Sequence, residues 1–198
     1  MLVIPDKVKW VVQRSLLTAY SGPPSPVIRK LALSRSPFLQ DPLLDFGCGK
    51  GRNSRFLSDH GYDVTSFDVN IPEFAFLPTG QYGTILLNYV LNVVLLPTRV
   101  QILSQIRHLM ASDSFLIVEV RSESQLQRSI KKSLKLSKNA NWRVFEDGWL
   151  STKETFQKGF QRGELESFLE SNGFIVLKTL ASDKDKTSLV VRPLPDSC

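Results

Sequence analysis

Apolar positions recur along this chain in two rhythms. After Thr98, a suitable helix N-cap, Val100, Leu103, Ile106, Leu109 and Met110 repeat at helical spacing. "RNSRFLSDHG", closed by Gly61, reads as another helix, as do "ESQLQRSIKKSLKLSK" and "GELESFLESNG". The runs "DPLLDFG", "YDVTSFDV", "TILLNYVL" and "SFLIVEV" are shorter and read as strands. "TILLNYVL" is apolar on both faces, as a central parallel strand should be. Residues 1–40 hold two helical patches, "DKVKWVVQRSLLTAY" and "PVIRKLALS", around the breaker "SGPPSP". They predict an N-terminal helical cap over 1–40, with 41–198 as one compact unit. "NIPEFAFLPTGQYG" has room for at most one short strand, and "NANWRVFEDGW" reads as a loop.

Strands alternating with helices imply βαβ units, hence an α/β doubly wound, mostly parallel sheet with helices on both faces. The last two strands, "FIVLKTL" and "SLVVRPL", are joined only by "ASDKDKT". Parallel neighbours need a connection of about a dozen residues or more, so this C-terminal pair is expected to be antiparallel.

Composition narrows the class rather than the fold. At 198 residues, with 42% hydrophobic and 22% charged positions, the chain suits one well-buried core. The longest apolar run, Ile85 to Leu96, is 12 residues and stops at Pro97, too short to span a bilayer. The start "MLVIPDKVKW" lacks the order of a secretory signal. Cys48 and Cys198 make neither a disulfide framework nor a metal site, and a reducing cytoplasm is expected. A net charge of +6 permits an acidic partner without demanding one.

The chemistry concentrates in "LLDFGCGKGRN". Its glycines at 47, 49 and 51 follow a strand and precede a helix. A dinucleotide fingerprint needs its third glycine at 52, where Arg52 stands. A P-loop needs Ser or Thr after Gly49-Lys50, where Gly51 stands, and a glycine at 44, where Leu44 stands. Asp45, at the carboxyl end of the strand, repels a pyrophosphate and suits a cation. Asp68, 21 residues after Gly47, ends the next strand, where a carboxylate accepts ribose hydroxyls. A ribose beside positive charge, without phosphate, describes S-adenosylmethionine.

"DFGCGKG" followed by Asp68 in "FDV" resembles the class I S-adenosylmethionine-dependent methyltransferases. That resemblance implies a seven-stranded sheet ending in an antiparallel hairpin. It also implies a cofactor site at Asp45, Gly47, Cys48, Gly49, Gly51, Asn53, Asp68, Val69 and Asn88. The segments "ILLNYVLNVVLLPTRVQIL" and "EDGWLSTKETFQKGFQRGELESFL" resemble, more narrowly, small methyltransferases found with DNA phosphorothioation and restriction systems. Region 71–81, whose one acid is Glu73, is read as lacking the acid that many class I enzymes place near the adenine amine. Adenine recognition then falls to apolar contact from Val69 or Ile71 and to backbone groups.

Methyl transfer is an in-line displacement, so most of the catalytic work is holding the acceptor near the methyl. In this family the segment after the fourth strand lies beside the methyl group, which makes Asn88, Tyr89 and Asn92 acceptor-side candidates. "NYVLNV" has no Pro-Pro-aromatic motif, and Cys48 is not preceded by proline; neither DNA amino-methylation nor cytosine-C5 chemistry is supported. "TFQKGF" reads either as an acceptor wall, with Gln157 or Lys158 facing substrate, or as a strand whose phenylalanines enter the core. Asn88, Asn92 and Lys158 are thus the candidate catalytic residues. His60 and His108 read as solvated helix positions. Arg128, Lys131, Lys132, Lys135 and Lys138 line one helix face, either solvated or tracking phosphates, with Trp142 and Trp149 nearby for stacking. Three readings remain open: a methyltransferase acting on a small molecule or nucleic-acid component, a nucleic-acid-binding accessory protein with little or no turnover, and a degenerate scaffold.

Overall fold

The computed structural model describes residues 6–19, 22–182 and 184–195. The first half runs α1 (Asp6–Ser15), α2 (Pro26–Leu33), β1 (Leu43–Phe46), α3 (Arg52–Asp59), β2 (Val64–Phe67), β3 (Tyr82–Asn88) and α4 (Leu96–His108). The second half runs β4 (Met110–Arg121), α5 (Glu123–Leu136), β5 (Trp142–Phe145), β6 (Gly148–Ser151), β7 (Phe156–Gln157), α6 (Glu164–Ser171), β8 (Phe174–Ser182) and β9 (Lys186–Pro193). Cys198 lies outside the described residues.

One sheet has the order β2-β1-β3-β4-β9-β8. Strands β1 to β4 are parallel, and β9 runs antiparallel to both β4 and β8. The C-terminal hairpin is therefore as its short connection requires. Both faces are covered. Leu44, Phe46, Ile85, Leu87, Leu116 and Val118 pack on α4 and α6 through Ile102, Leu103, Ile106, Leu165 and Leu169. On the opposite face, Leu43, Leu86, Ile117 and Val190 meet Ile28 and Leu31 of α2 and Leu57 of α3. Each such fully buried aliphatic side chain contributes about 1.5–3 kcal/mol, which is why Leu43–Leu44 of β1 and Ile85–Leu87 of β3 are apolar on both faces.

Three expectations are corrected. Among the described residues the sheet has six strands rather than seven. Residues 70–81 form only a short 3-10 turn at Pro72–Phe74, and Pro72 and Pro78 lack the N–H donors of a ladder. The stretch 139–149 is not a plain loop: β5 and β6 form a hairpin that β7 joins as a separate three-stranded antiparallel sheet. Trp142, Val144 and Phe145 favour extended backbone, and Glu146 makes the turn at φ 50°. Helix α4 is capped at Leu95 rather than Thr98, because Pro97, with its pre-set φ, suits the first turn. Thr98 is buried within that turn.

The N-terminal segment packs on both sheets. Val11 of α1 is buried with Leu95, Leu150 and Phe156, tying α1 to the small sheet, while α2 lies on the large one.

Register places the polar residues. Beyond the apolar row Leu86, Ile117 and Val190, the next row on the same face is Asn88, Glu119 and Ser188. Extending the β1–β3 register by two residues sets Gly47 beside Asn88. The carboxyl edge of the sheet is thus polar where its body is not.

Candidate active site

Gly47, Gly49 and Gly51 have φ of 72°, 55° and 66°, the left-handed region that glycine occupies without strain. A Cβ on Gly47 would stand 2.4 Å from Val90 Cγ2. The N–H groups of Gly47 and Cys48 both donate to Phe67 O, at 2.7 and 3.0 Å, stitching the loop to the end of β2. Gly49 N–H donates to Asp68 Oδ2 and Asn70 N–H to Asp68 Oδ1, both at 2.9 Å. Each carboxylate oxygen retains a second lone pair, so Asp68 is oriented without being saturated. Val69, next to it, is exposed. Asn70 Nδ2 donates to Val12 O at 3.0 Å and to Ser15 Oγ at 3.2 Å, holding α1 over this corner. Ala19 lies 3.5 Å from where a Gly49 Cβ would be.

Asp45 is buried at the end of β1 and accepts a hydrogen bond from Ser54 Oγ at 2.7 Å. Burial pushes its pKa up to about 6, against the Ser54 hydrogen bonds that favour the anion. Burial, and then the negative charges of Asp45 and Asp68, also push the Cys48 thiol up. Cys48 therefore stays a neutral thiol, contributing backbone to the loop rather than a nucleophile.

The polar row brings out a residue that the sequence reading missed. Glu119 is fully buried and accepts from Ser25 Oγ (3.0 Å), Ser188 Oγ (2.7 Å) and Lys186 Nζ (3.1 Å). An acid inside the apolar run "SFLIVEV" was the available signal. Ser25 caps α2, accepting from Val27 N, and its own N–H donates to Asn53 Oδ1 at 2.9 Å. Asn53 thus holds the cap segment, and Arg52 Nη1 does the same through the carbonyls of Gly22 and Pro23. Beside Glu119, the Asn88 side chain has a buried oxygen and a buried nitrogen with no hydrogen-bond partner among the described residues.

Asn92 is engaged throughout. Its Nδ2 donates to Lys158 O (2.5 Å) and Arg121 O (3.3 Å), and its Oδ1 accepts from Arg121 N (2.9 Å). Lys158 N–H donates back to Asn92 O at 2.7 Å. The Lys158 ammonium pairs with Glu164 Oε1 at 2.7 Å and lies over the Phe160 ring. Phe156 and Phe160 are buried, so "TFQKGF" sends its phenylalanines into the core. Gln157 Oε1 accepts from Arg121 Nη1 at 3.2 Å. Arg99, also buried, forms a fork with Asp147 at 2.6 and 2.8 Å. That pair outweighs the effect of burial and holds the Asp147 carboxyl below its ordinary value.

The structure therefore brings together Asp45, Gly47, Cys48, Gly49, Gly51, Asp68 and Asn88, with Val69 at the rim. Asn53, Asn92 and Lys158 are committed to holding the surrounding chain. Lys131, Lys132 and Lys135 are exposed on α5, Lys138 is exposed beyond its C-terminal end, and Arg128 pairs with Asp185. Trp142 lies on β5, its indole N–H donating to Ser133 Oγ, and Trp149 lies on β6. His60 and His108 each bond a carbonyl one turn back in their own helices, at 2.7 Å. No helix among the described residues is long and apolar enough to cross a membrane.

The probable S-adenosyl-L-methionine-dependent methyltransferase TehB of Haemophilus influenzae is 63% identical over 35 residues. That match spans 18% of this chain and only 12% of the relative's length. The Burkholderia thailandensis 1,6-didemethyltoxoflavin-N1-methyltransferase, solved with 1,6-didemethyltoxoflavin and S-adenosylhomocysteine, superposes with a TM-score of 0.67. It is 13% identical, over 98% of this chain and 92% of its own. DhpI, solved with S-adenosylhomocysteine, superposes with a TM-score of 0.62 at 16% identity, covering 94% of each chain. At these identities the likeness shows the fold. The methyltransferase domain family model matches residues 23–179, from the α2 cap through the glycine loop to the C-terminal hairpin, and the chain belongs to that family.

Proposed function

We propose that this protein is an S-adenosylmethionine-dependent methyltransferase whose acceptor is a small molecule. The observation that carries the reading is the closed unit of glycine loop and Asp68. Three left-handed glycines bring the backbone close, and both carboxylate oxygens of Asp68 are fixed by N–H donors with lone pairs to spare. The cofactor fits the residues present. Asp68 receives the ribose hydroxyls, and Asp45 supplies negative charge for the cationic methionine part. Val69 offers apolar contact to the adenine. The unpartnered amide of Asn88 offers a donor and an acceptor at the end of β3, beside Gly47. When bound, the cofactor supplies an electrophilic methyl group on a sulfonium.

The chain's own task is then to hold an acceptor in line and keep water away. Asn88 faces the reacting region from β3. Asn92 and Lys158 act as positioning residues, fixing the 155–160 strap along the carboxyl edge. The small-molecule acceptor is supported by neighbours such as the 1,6-didemethyltoxoflavin enzyme. The narrower resemblance to methyltransferases of phosphorothioation and restriction systems rests on segments of residues 43–170 alone. A cytoplasmic setting accords with a free Cys48.

Calorimetry with S-adenosylhomocysteine tests the cofactor site, and methyl-labelled cofactor with fractionated extract tests the acceptor. Binding, and label in the low-molecular-mass fraction, are expected. Absence of binding by the intact protein overturns the reading. A second reading, a nucleic-acid-binding accessory protein, is favoured by the exposed lysines of α5, for which no ion pair occurs among the described residues. It requires steeply salt-dependent nucleic-acid binding without turnover; salt-insensitive, negligible binding excludes it.

A further inference from the structure

Strand β4 ends in a cation that no acid among the described residues neutralises. Arg121 stands two residues beyond Glu119, and so about 7 Å beyond the Asn88–Glu119 row toward the open edge. Its backbone is fixed on both sides: the N–H donates to Asn92 Oδ1, and the carbonyl accepts from Phe160 N at 3.0 Å and from Asn92 Nδ2. One guanidinium N–H donates to Gln157 Oε1, and Tyr89, the residue after Asn88, is its electrostatic neighbour. No carboxylate lies within ion-pair distance of it among the described residues.

The acids around it are committed elsewhere. Glu119 is taken by Lys186, the residue opposite Arg121 on β9. Glu164 is taken by Lys158, and Asp147 by Arg99. Each of those pairs is close to neutral, so the set carries one uncompensated positive charge. A half-buried charge without a partner is costly, and burial lowers the Arg121 pKa accordingly. A guanidinium offers five N–H donors in a fork that fits a carboxylate, and only one is used among the described residues.

We propose that Arg121, with Tyr89 and Gln157 beside it, receives a carboxylate on the methyl acceptor, making the substrate a monoanionic small acid. This rests on the methyltransferase reading. A single unpaired cation suits a monoanion, whereas a phosphate dianion calls for a second one.

The test uses probes of matched shape. Benzoate, benzamide and phenyl phosphate are titrated into the full chain with and without S-adenosylhomocysteine, by ligand-observed NMR and calorimetry. Benzoate is expected to bind at least tenfold more tightly than benzamide and more tightly than phenyl phosphate. Arg121→Gln is expected to lose that preference while S-adenosylhomocysteine affinity changes less than twofold, and Arg121→Lys to keep part of it. Equal binding of benzoate and benzamide, binding of neither, or an unchanged preference in Arg121→Gln overturns the proposal. Tighter phenyl phosphate overturns the monocarboxylate assignment. The wild-type comparison stands even if a variant fails to fold. Failure of the intact protein to bind S-adenosylhomocysteine is a separate result that overturns the cofactor reading.

Discussion

Asn88 and Asn92 stand four residues apart with opposite environments: Asn92 makes three side-chain hydrogen bonds to Lys158 and Arg121, and Asn88 makes none among the described residues. Removing the first leaves buried backbone groups unsatisfied, at about 1–3 kcal/mol each in the worst case. Asn92→Ala is expected to lower unfolding free energy by about 2–4 kcal/mol. Asn88→Ala loses no internal hydrogen bond and is expected to be neutral or slightly stabilising, while weakening S-adenosylhomocysteine binding. Urea unfolding and calorimetry on the two variants check this. A stable Asn92→Ala that lacks only activity would return Asn92 to the acceptor.

Asp68 joins the two halves of the proposed cofactor site, because its oxygens take the Gly49 and Asn70 N–H groups. Asp68→Ala is expected to weaken S-adenosylhomocysteine by about 30- to 100-fold, the scale of charge-assisted hydrogen bonds lost together with loop order. Asp68→Asn keeps an acceptor for only part of the set and should fall between. Equal affinities in all three proteins would remove Asp68 from the ribose.

Gly47 combines a φ of 72° with a Cβ position 2.4 Å from Val90 Cγ2. Gly47→Ala meets both backbone strain and overpacking, about 2–4 kcal/mol together. Adding Val90→Ala should recover the packing part and leave the backbone part, about 1–2 kcal/mol. Thermal unfolding of the single and double variants reads the division. Full recovery in the double variant would show that φ costs nothing there.

The glycine loop, Asp45 and Asp68 were legible because their spacing is local. Each lies at a strand end, and the loop's three glycines are needed within five residues. The C-terminal hairpin was legible for the same reason. What escaped depends on distant pairing. Glu119 gains its meaning from Ser25, Ser188 and Lys186, up to 94 residues away. The hydrogen bonds that Asn53 makes with Ser25, and Asn92 with Arg121 and Lys158, likewise join residues far apart in the chain. The hairpin of β5 and β6 was hidden by a polar turn at Glu146 and Asp147, and the missing seventh strand by a family expectation that the prolines at 72 and 78 contradict.

Asp45 gives the site a pH signature. In the fold its pKa rises from 3.8 to about 6, chiefly by burial, so between those values the folded protein holds a proton that the unfolded chain releases. This group's contribution is therefore fully present below about pH 4 and is lost as pH rises to about 6, a change of about 3 kcal/mol. The difference in unfolding free energy between wild type and Asp45→Asn isolates it from other carboxylates, because Ser54 can donate to either side chain. Asp147, held below its ordinary value by Arg99, works in the opposite sense and cancels in that difference. Ligand binding follows the anion: the ammonium of the amino-acid part prefers ionised Asp45, so S-adenosylhomocysteine affinity is expected to rise about tenfold from pH 5 to 7. Asp45→Asn should bind more weakly at pH 7 and lose most of that slope. Calorimetry across this range decides the matter, and an unchanged slope in the variant would place the cation elsewhere.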